Sequence, residues 1–438
     1  MPFNSRIFPV TCKFIHVSVV LKAAARRAWL HVCNTYRLGC EYCEYLLMYW
    51  HLEGHYITYP SGSFWFQNRL HTTTRSPHQG AHTHAIAMAF LPEPLRMIAL
   101  NPRLFDLTSD GPIAYVARQK LVGSPALPPD LSLRGKTVLV TGATSGVGCE
   151  AARKFLQLGA RLIIGARDLD KAESLKQTFL GQVPGAPIHV SHLQMESFDS
   201  VDAFVNHLGT LGIRLDIALL NAGLFSREQR RLSDGCSLLM QVNLRSTAYL
   251  ALRLVPLLVP IGHETVGGTT LAPPSRLVLV SSEAHAWSTY DPPSQGDLLA
   301  EFCDPAASVD PSYEYYTAKL LLALFGRELA RRLDAASVEV VTTTPGFCAS
   351  NFFPDSTNLL TKLISWAHAR SAEQGGRLHV HAATCTEPHL SGKYMRDGHV
   401  NKLSPVAESD KGEKLQGRLW EEMVKLCSDR GHSFHSSI

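Results

Sequence analysis

The sequence lacks three things that would narrow its class at once. It has no long apolar run. No stretch reaches the roughly 18 residues a membrane-spanning helix needs, and residues 14–21 are too short and contain His16. It has no excess of charge of one sign, since 42 Lys and Arg face 38 Asp and Glu over 438 residues, a net of +4. Nor has it the cysteine density of a small secreted scaffold, with 10 cysteines scattered along the chain. These absences argue against a membrane-spanning protein, a nucleic-acid-binding face and a disulfide framework. What is present is 45% hydrophobic and 18% charged residues, enough chain for one large α/β domain plus additions. Reduced thiols in a cytoplasmic setting are the expectation.

The charge is unevenly placed. Residues 1–107 hold 10 Lys and Arg against 5 Asp and Glu, so the remainder is close to neutral. This first part also carries eight of the 20 histidines and three of the six tryptophans, and stretches such as 71–84 have no useful hydrophobic period. It reads as an irregular, poorly ordered extension, or as sequence that is not part of the functional protein. The first forty residues, with six basic and no acidic side chains, leave a mitochondrial transit peptide as the alternative. Cys40-x2-Cys43 followed by His51-x3-His55 invites a zinc reading, but seven residues separate the pairs, against about 12 in a zinc finger. A short amphipathic helix with Tyr45, Leu46, Tyr49 and Trp50 on one side is the plainer reading. Residues 108–135 look like a leader helix, with Ile113, Val116 and Leu121 on one face, and then a linker through Pro125, Pro128 and Pro129.

The chain is organised around residues 136–148, KTVLVTGATSGVG. Val138, Leu139 and Val140 read as a buried parallel strand. Gly142, Gly146 and Gly148 follow in a G-x-x-x-G-x-G turn, and Val147, Ala151, Ala152, Phe155 and Leu156 then recur with helical period. A strand, a glycine turn and a helix N-terminus together make a seat for a pyrophosphate. From 136 onward the pattern alternates strand and helix, which predicts a doubly wound parallel α/β sheet of about seven strands with helices on both faces. Strands are expected at 137–141, 161–165, 188–193, 215–220, 276–281, 338–343 and near 393–394. The clearest helices are expected at 146–159, 235–258, 314–333 and 411–427. Segments 260–275 and 284–312 read as surface loops.

Four further features carry chemistry. Gly165-Ala166-Arg167 closes the second strand, where an acid would take the ribose 2′-hydroxyl of a dinucleotide. Arg167 suits a 2′-phosphate instead, hence NADP(H). Asp168 or Asp170 as the ribose ligand, with NAD(H), is the alternative. Asn221-Ala222-Gly223 follows the fourth strand, and Ser281-Ser282 ends the fifth. Tyr315-x3-Lys319 opens a strong helix and puts phenol and ammonium on one face. A nearby ammonium favours the phenolate and suits the phenol to acid–base work.

With these residues in place, the chain resembles the short-chain dehydrogenase/reductase family, well over 136–350 and more loosely over 110–430. TGATSGVG at 141–148, NAG at 221–223, VNLRS at 242–246, VSS at 280–282, YYTAK at 315–319 and PG at 345–346 carry the resemblance. Arg167 and the long loop between Ser282 and Tyr315 look most like the retinol-dehydrogenase-like branch. The tail, with GKYMRDGHVNKLSP and LQGRLWEEMVKL, is similar to fungal members, many of which act in secondary metabolism.

The resemblance implies a Rossmann fold over 136–430, with 431–438 as a tail, and roles for single residues. Tyr315 would be the acid/base, Ser282 would hydrogen-bond the substrate carbonyl, and Lys319 would bind the nicotinamide ribose and lower the phenol pKa. Asn243 would hold a water in a proton relay. Gly142, Thr144, Ser145, Gly146, Val147, Gly148, Arg167, Asn221, Ala222 and Gly223 would line the dinucleotide. Pro345, Gly346 and Ser350 would flank the nicotinamide, Ser350 standing where the family often has Thr. Gln194, followed by Met195, stands where the family usually has Asp near the adenine. Leu220 replaces a common Asn, and Ser246 a frequent Gly.

The function expected is NADP(H)-dependent interconversion of a ketone or aldehyde and an alcohol on a mostly apolar small molecule. A non-catalytic dinucleotide-binding sensor or scaffold is the alternative, and a metal- or nucleic-acid-binding role of the basic N-terminal part is a third. Specificity is expected in 224–235, 284–312 and 347–375, through Phe225, Trp287, Tyr290, Phe302, Phe347, Phe352, Phe353 and Trp366. The sequence leaves the substrate and the oligomeric state open.

Overall fold

The computed structural model describes Gln119, residues 122–259, a two-strand ribbon at 265–266 and 269–270, residues 273–349 and residues 369–434. The expectations for residues 1–107, for the leader helix up to 118, for the metal reading of Cys40, Cys43, His51 and His55, and for Ser350, Phe352, Phe353 and Trp366 fall outside the described residues.

Seven parallel strands and one antiparallel strand form a single sheet. They are β1 (Thr137–Thr141), β2 (Arg161–Ala166), β3 (Ile188–His192), β4 (Ile217–Leu220), β5 (Ser275–Val280), β6 (Val338–Thr343), β7 (Tyr394–Arg396) and β8 (His399–Asn401). Their order is β3-β2-β1-β4-β5-β6-β7-β8, so the winding reverses between β1 and β4. Doubly wound sheets bind ligands at that switch point, outside the strands' C-terminal ends. The long helices are α1 (Gly146–Gln157), α2 (Leu169–Gln182), α3 (Phe198–Thr210), α4 (Ser246–Leu258), α5 (Pro311–Arg332), α6 (Ala372–Thr384) and α7 (Asp410–Asp429).

Alternation along the strands sorts the core into two layers. Leu139, Ile163, Ala218, Leu277 and Val340 face α3, α4, α5 and α7. Val138, Val140, Leu162, Ile164, Leu219 and Val278 face α1, α2 and α6. The start of β1 is pinned to the start of β4 by Asp216, whose carboxylate accepts from the Thr137 amide at 2.9 Å and from Lys136 Nζ at 3.0 Å. Helix α5 starts at Asp310, which caps the Ser312 and Tyr313 amides at 2.9 Å, with Pro311 in the first turn.

The structure refines the expected elements. An eighth strand exists because Asp397-Gly398, both at positive φ, make a two-residue turn that folds β8 back on β7. The helix expected at 235–258 is broken into Leu238–Met240, a π-helical turn at Gln241–Arg245, and α4. The break lies at Asn243, whose side chain bonds the Leu224 backbone. The side chains of Cys236 and Cys303 meet sulfur to sulfur. Backbone pairing brings them together, since the Ser237 amide donates to the Phe302 carbonyl at 2.8 Å and Arg231 Nη1 donates to the same oxygen at 3.1 Å.

Candidate active site

The dinucleotide end of the site is built by β1, its glycine turn and α1. Gly142 and Gly146 take positive φ, +66° and +58°. The turn and the β4 end are fitted closely. Asn221 Nδ2 donates to the carbonyl oxygens of Thr141 (3.1 Å) and Gly142 (3.3 Å), and the Ala222 amide donates to Thr141 Oγ1 at 3.0 Å. A side chain on Gly142 would meet the Ala222 Cα at 2.9 Å. Helix α1 has no acid in its first turn, and its N-cap residue Ser145 makes no side-chain cap bond. Asp168, Ser197, Asp310, Ser371 and Ser409, by contrast, cap α2, α3, α5, α6 and α7. The first turn of α1 therefore presents its amides and dipole to an anion, and Thr144, Ser145 and Val147 lie in that turn.

Arg167, two-thirds exposed, leaves the end of β2 and pairs with Glu196 Oε1 at 2.8 Å. Gln194 Nε2 donates to the other oxygen of Glu196 at 3.2 Å, so the three side chains form one polar rim. Met195 is buried in the core layer under α3. The Asp168 carboxylate is taken up by the Lys171 amide at 2.9 Å as the α2 cap.

The chemical end is assembled by β5, the π-helical turn and α5. Tyr315 and Lys319 are both more than nine-tenths buried on one face of α5, with Lys319 Nζ 5.8 Å from the Tyr315 ring centroid. The Tyr315 hydroxyl is hydrogen-bonded to the Ser282 side chain. Lys319 Nζ donates to the Val280 carbonyl at 2.9 Å, and Ser281 Oγ donates to the Lys319 carbonyl at 2.8 Å, which ties the end of β5 to α5. A side chain on Gly223 would meet Asn243 Oδ1 at 2.8 Å and Lys319 Nζ at 3.5 Å. The asparagine, the lysine and the end of β4 thus converge. The Asn243 amide is committed to backbone: Nδ2 donates to Leu224 O (2.8 Å) and Leu239 O (3.1 Å), and Oδ1 accepts from the Leu224 amide (3.1 Å).

Burial governs the charges. It pushes Lys319 down from 10.5 to about 8. It pushes the Tyr315 phenol up, and the Ser282 hydrogen bond offsets only part of that rise. The loss of hydration outweighs that hydrogen bond, so the proton stays on the phenol. His379 of α6 is fully buried with neither ring nitrogen hydrogen-bonded among the described residues, and burial, with the Lys319 charge next, holds it down at about 3.

Residues 136–272 match the family model for short chain dehydrogenase. The short chain dehydrogenase resG of Aspergillus sclerotiorum is 51% identical over 356 residues, which cover 78% of this chain and 98% of that protein. The chain belongs to the short-chain dehydrogenase family. Rstn4, a short chain dehydrogenase of Aspergillus nomiae, is 50% identical over 364 residues, covering 80% of this chain and 96% of the relative. Among solved structures, an uncharacterised protein of Mycobacterium paratuberculosis aligns with TM-score 0.51 at 25% identity, over 70% of this chain and 97% of that one. This short-chain dehydrogenase is therefore an oxidoreductase acting on CH–OH groups. No helix among the described residues is long and apolar enough to cross a membrane.

The structure adds residues to the site that sequence reasoning missed. Gln119 reaches in from the leader. Its Oε1 accepts from the Phe347 amide at 3.1 Å, and its Nε2 lies 3.5 Å from Glu283 Oε1, beside Ser282. Gly346, at φ +75°, turns its Cα against that amide, so an added Cβ would lie 2.5 Å from Gln119 Oε1. Arg370, buried, donates to Val122 O at 2.9 Å and pairs with Asp397 at 2.6 Å. The loop at Pro345-Gly346 thus rests on a polar plug from the leader and the β7–β8 turn. No local pattern marks Gln119, because its partners lie far along the chain. Two residues expected in a substrate pocket, Tyr290 and Phe302, are buried and pack on each other, with Phe302 also against Tyr313. Phe225 stands edge-on to Tyr315 at 5.6 Å, and Trp287 edge-on to the neighbouring Tyr316 at 5.4 Å.

Proposed function

We propose that this short-chain dehydrogenase interconverts a ketone or aldehyde and an alcohol on a mostly apolar small molecule, with NADP(H) as cofactor, in fungal secondary metabolism. The observation that carries the reading is the Ser282–Tyr315 hydroxyl pair beside the buried Lys319 ammonium. A protein that only bound a dinucleotide would need the glycine cradle but not this pair.

The residues present fit a dinucleotide. The close Gly142, Gly148 and Asn221 packing leaves backbone where a phosphate would approach, α1 offers uncapped amides, and Arg167 offers a guanidinium at the end of β2. When bound, the nicotinamide supplies or accepts the hydride. Ser282 donates a hydrogen bond to the substrate carbonyl oxygen and polarises it. Tyr315 gives its proton to that oxygen in reduction and takes it back in oxidation. The raised phenol pKa keeps the proton in place, which is the form that reduction uses. Lys319 stabilises the phenolate left after proton transfer and binds the ribose, while Asn243 fixes the end of β4 that faces it. Pro345 and Gly346 flank the nicotinamide. Phe225, Trp287 and Tyr316 give the substrate an aromatic wall, which favours an apolar molecule.

A panel of aromatic and aliphatic ketones and aldehydes, assayed with NADPH and with NADH, tests the reading. Turnover of at least one carbonyl, lost in Tyr315→Phe, is expected. Dinucleotide binding without turnover of any member would put the sensor reading in its place.

A further inference from the structure

Ser282 has a histidine neighbour in the turn that follows it. The serine ends β5, and its Oγ accepts from the Ala284 amide at 3.2 Å, opening the 3₁₀ turn Glu283–Trp287. In that turn His285 is only 3% exposed, and both of its ring nitrogens meet backbone. Nδ1 lies 2.7 Å from the Ser282 carbonyl oxygen, and Nε2 lies 3.1 Å from the Ser404 amide nitrogen. A carbonyl oxygen can only accept, so Nδ1 carries the proton. An amide N–H can only donate, so Nε2 carries a lone pair. The two partners together require the neutral Nδ1–H tautomer. The edge of Tyr394, 5.0 Å away, packs against the ring.

Ser404 is itself held. Its Oγ accepts from the Ala407 amide at 3.4 Å, and the Ala407 carbonyl accepts from Arg327 of α5 at 2.7 Å. A rigid path thus runs from α5, which carries Tyr315, through the segment between β8 and α7, to the main chain of Ser282.

We propose that His285 is a positioning residue. It fixes the Ser282 main chain against the C-terminal segment and so holds the Ser282 hydroxyl on the Tyr315 phenol. This rests on the reading of Ser282 and Tyr315 as the carbonyl-activating pair. A misplacement of about 1 Å at such a pair costs on the order of 100-fold in rate, and His285 supplies the only side-chain contact to the Ser282 carbonyl recorded among the described residues.

Two substitutions separate the ring's two bonds in the full chain. In His285→Asn the amide nitrogen falls near the place of Nδ1 and reaches Ser282. In His285→Gln the longer amide reaches Ser404 instead. The expected result is that His285→Gln and His285→Leu lower kcat by about 10- to 100-fold, with NADPH affinity unchanged, while His285→Asn keeps most of kcat. Wild-type kcat in His285→Leu, or equal losses in all three variants that follow thermal stability alone, would overturn the proposal. Nitrogen-15 imidazole spectra of the whole protein, with the His285 signal assigned by its loss in His285→Asn, give a reading that needs no turnover. A neutral ring protonated on Nδ1 is expected at neutral pH, and a ring protonated on Nε2 or on both nitrogens overturns the proposal. If the wild type reduced no carbonyl, the proposed function would fail while the spectrum still decided the His285 geometry.

Discussion

A methyl group on Gly148 would lie 2.4 Å from Asn221 Nδ2 and 2.4 Å from the Gly142 carbonyl oxygen. The first glycine turn and the end of β4 are therefore one object, locked by an amide that only a bare backbone admits. Neither partner can withdraw cheaply, since Gly142 is main chain and the Asn221 amide is held by two carbonyls. Gly148→Ala should destabilise the fold by roughly 1–3 kcal/mol and weaken NADPH binding. Thermal unfolding and a fluorescence titration of NADPH check both. Unchanged values in both measurements would show that the turn can relax.

Tyr315→Phe removes one oxygen and keeps the ring against Phe225. Loss of turnover by at least about 100-fold is expected, the scale of a missing general acid, with NADPH affinity nearly unchanged. Residual activity within about tenfold of wild type would remove the phenol from proton transfer, because general acid catalysis is worth more than that.

Much of this site was legible in the chain itself. The strand-and-helix alternation predicts β1, β2 and β6 nearly to the residue, because parallel strands buried on both faces read as unbroken aliphatic runs. Tyr315 and Lys319 are legible because i,i+4 spacing is a local fact. Asp397-Gly398 carried a hairpin signal that the short flanking strands hid. Gln119, His285 and Arg370 were not legible. Their roles come from partners at Phe347, Ser404 and Asp397, and no sequence period records a contact across the sheet's end.

Gln119 gives the leader a share in the site. Gln119→Leu replaces an amide that satisfies the Phe347 N–H with a side chain that cannot, and a buried unpaired donor costs about 1–3 kcal/mol. The loop at Pro345-Gly346 should loosen, so weaker NADPH binding is expected along with the stability loss. Thermal unfolding with and without NADPH separates the two. A variant that loses stability but keeps the full NADPH-induced rise would confine Gln119 to the scaffold.

Lys319 predicts a pH signature in the protein without cofactor. Its folded pKa is about 8, against 10.5 for the ordinary group. Between those values the unfolded chain binds more protons than the native one, so stability from this residue rises with pH across that window. Below about 8 both states are protonated and the native state carries the full cost of the buried ammonium. Lys319→Met should lack this rise. The check is urea unfolding of both proteins at several pH values across the window. Parallel curves would mean that the native lysine titrates near its ordinary value.

Arg167 is expected to select the cofactor in the proposed function. A 2′-phosphate carries close to two negative charges near neutral pH, and a guanidinium can meet two of its oxygens at once. Such a contact is worth roughly 1.5–3 kcal/mol, about 10- to 150-fold in affinity. The structure adds a competitor: Glu196 holds Arg167 at 2.8 Å, and Gln194 braces that carboxylate. The same acid that orients the guanidinium also repels a phosphate, so the two effects oppose each other. Asp168, the residue that would favour NAD(H), is engaged as the α2 cap. The expected order of kcat/KM for NADPH over NADH is therefore Glu196→Gln above wild type, and wild type above Arg167→Asp. Steady-state kinetics with both cofactors measure all three ratios. A wild type that prefers NADH, or an Arg167→Asp ratio equal to wild type, would move the selection away from this side chain. A fall in the ratio for Glu196→Gln would show instead that the acid's main effect is to aim the guanidinium.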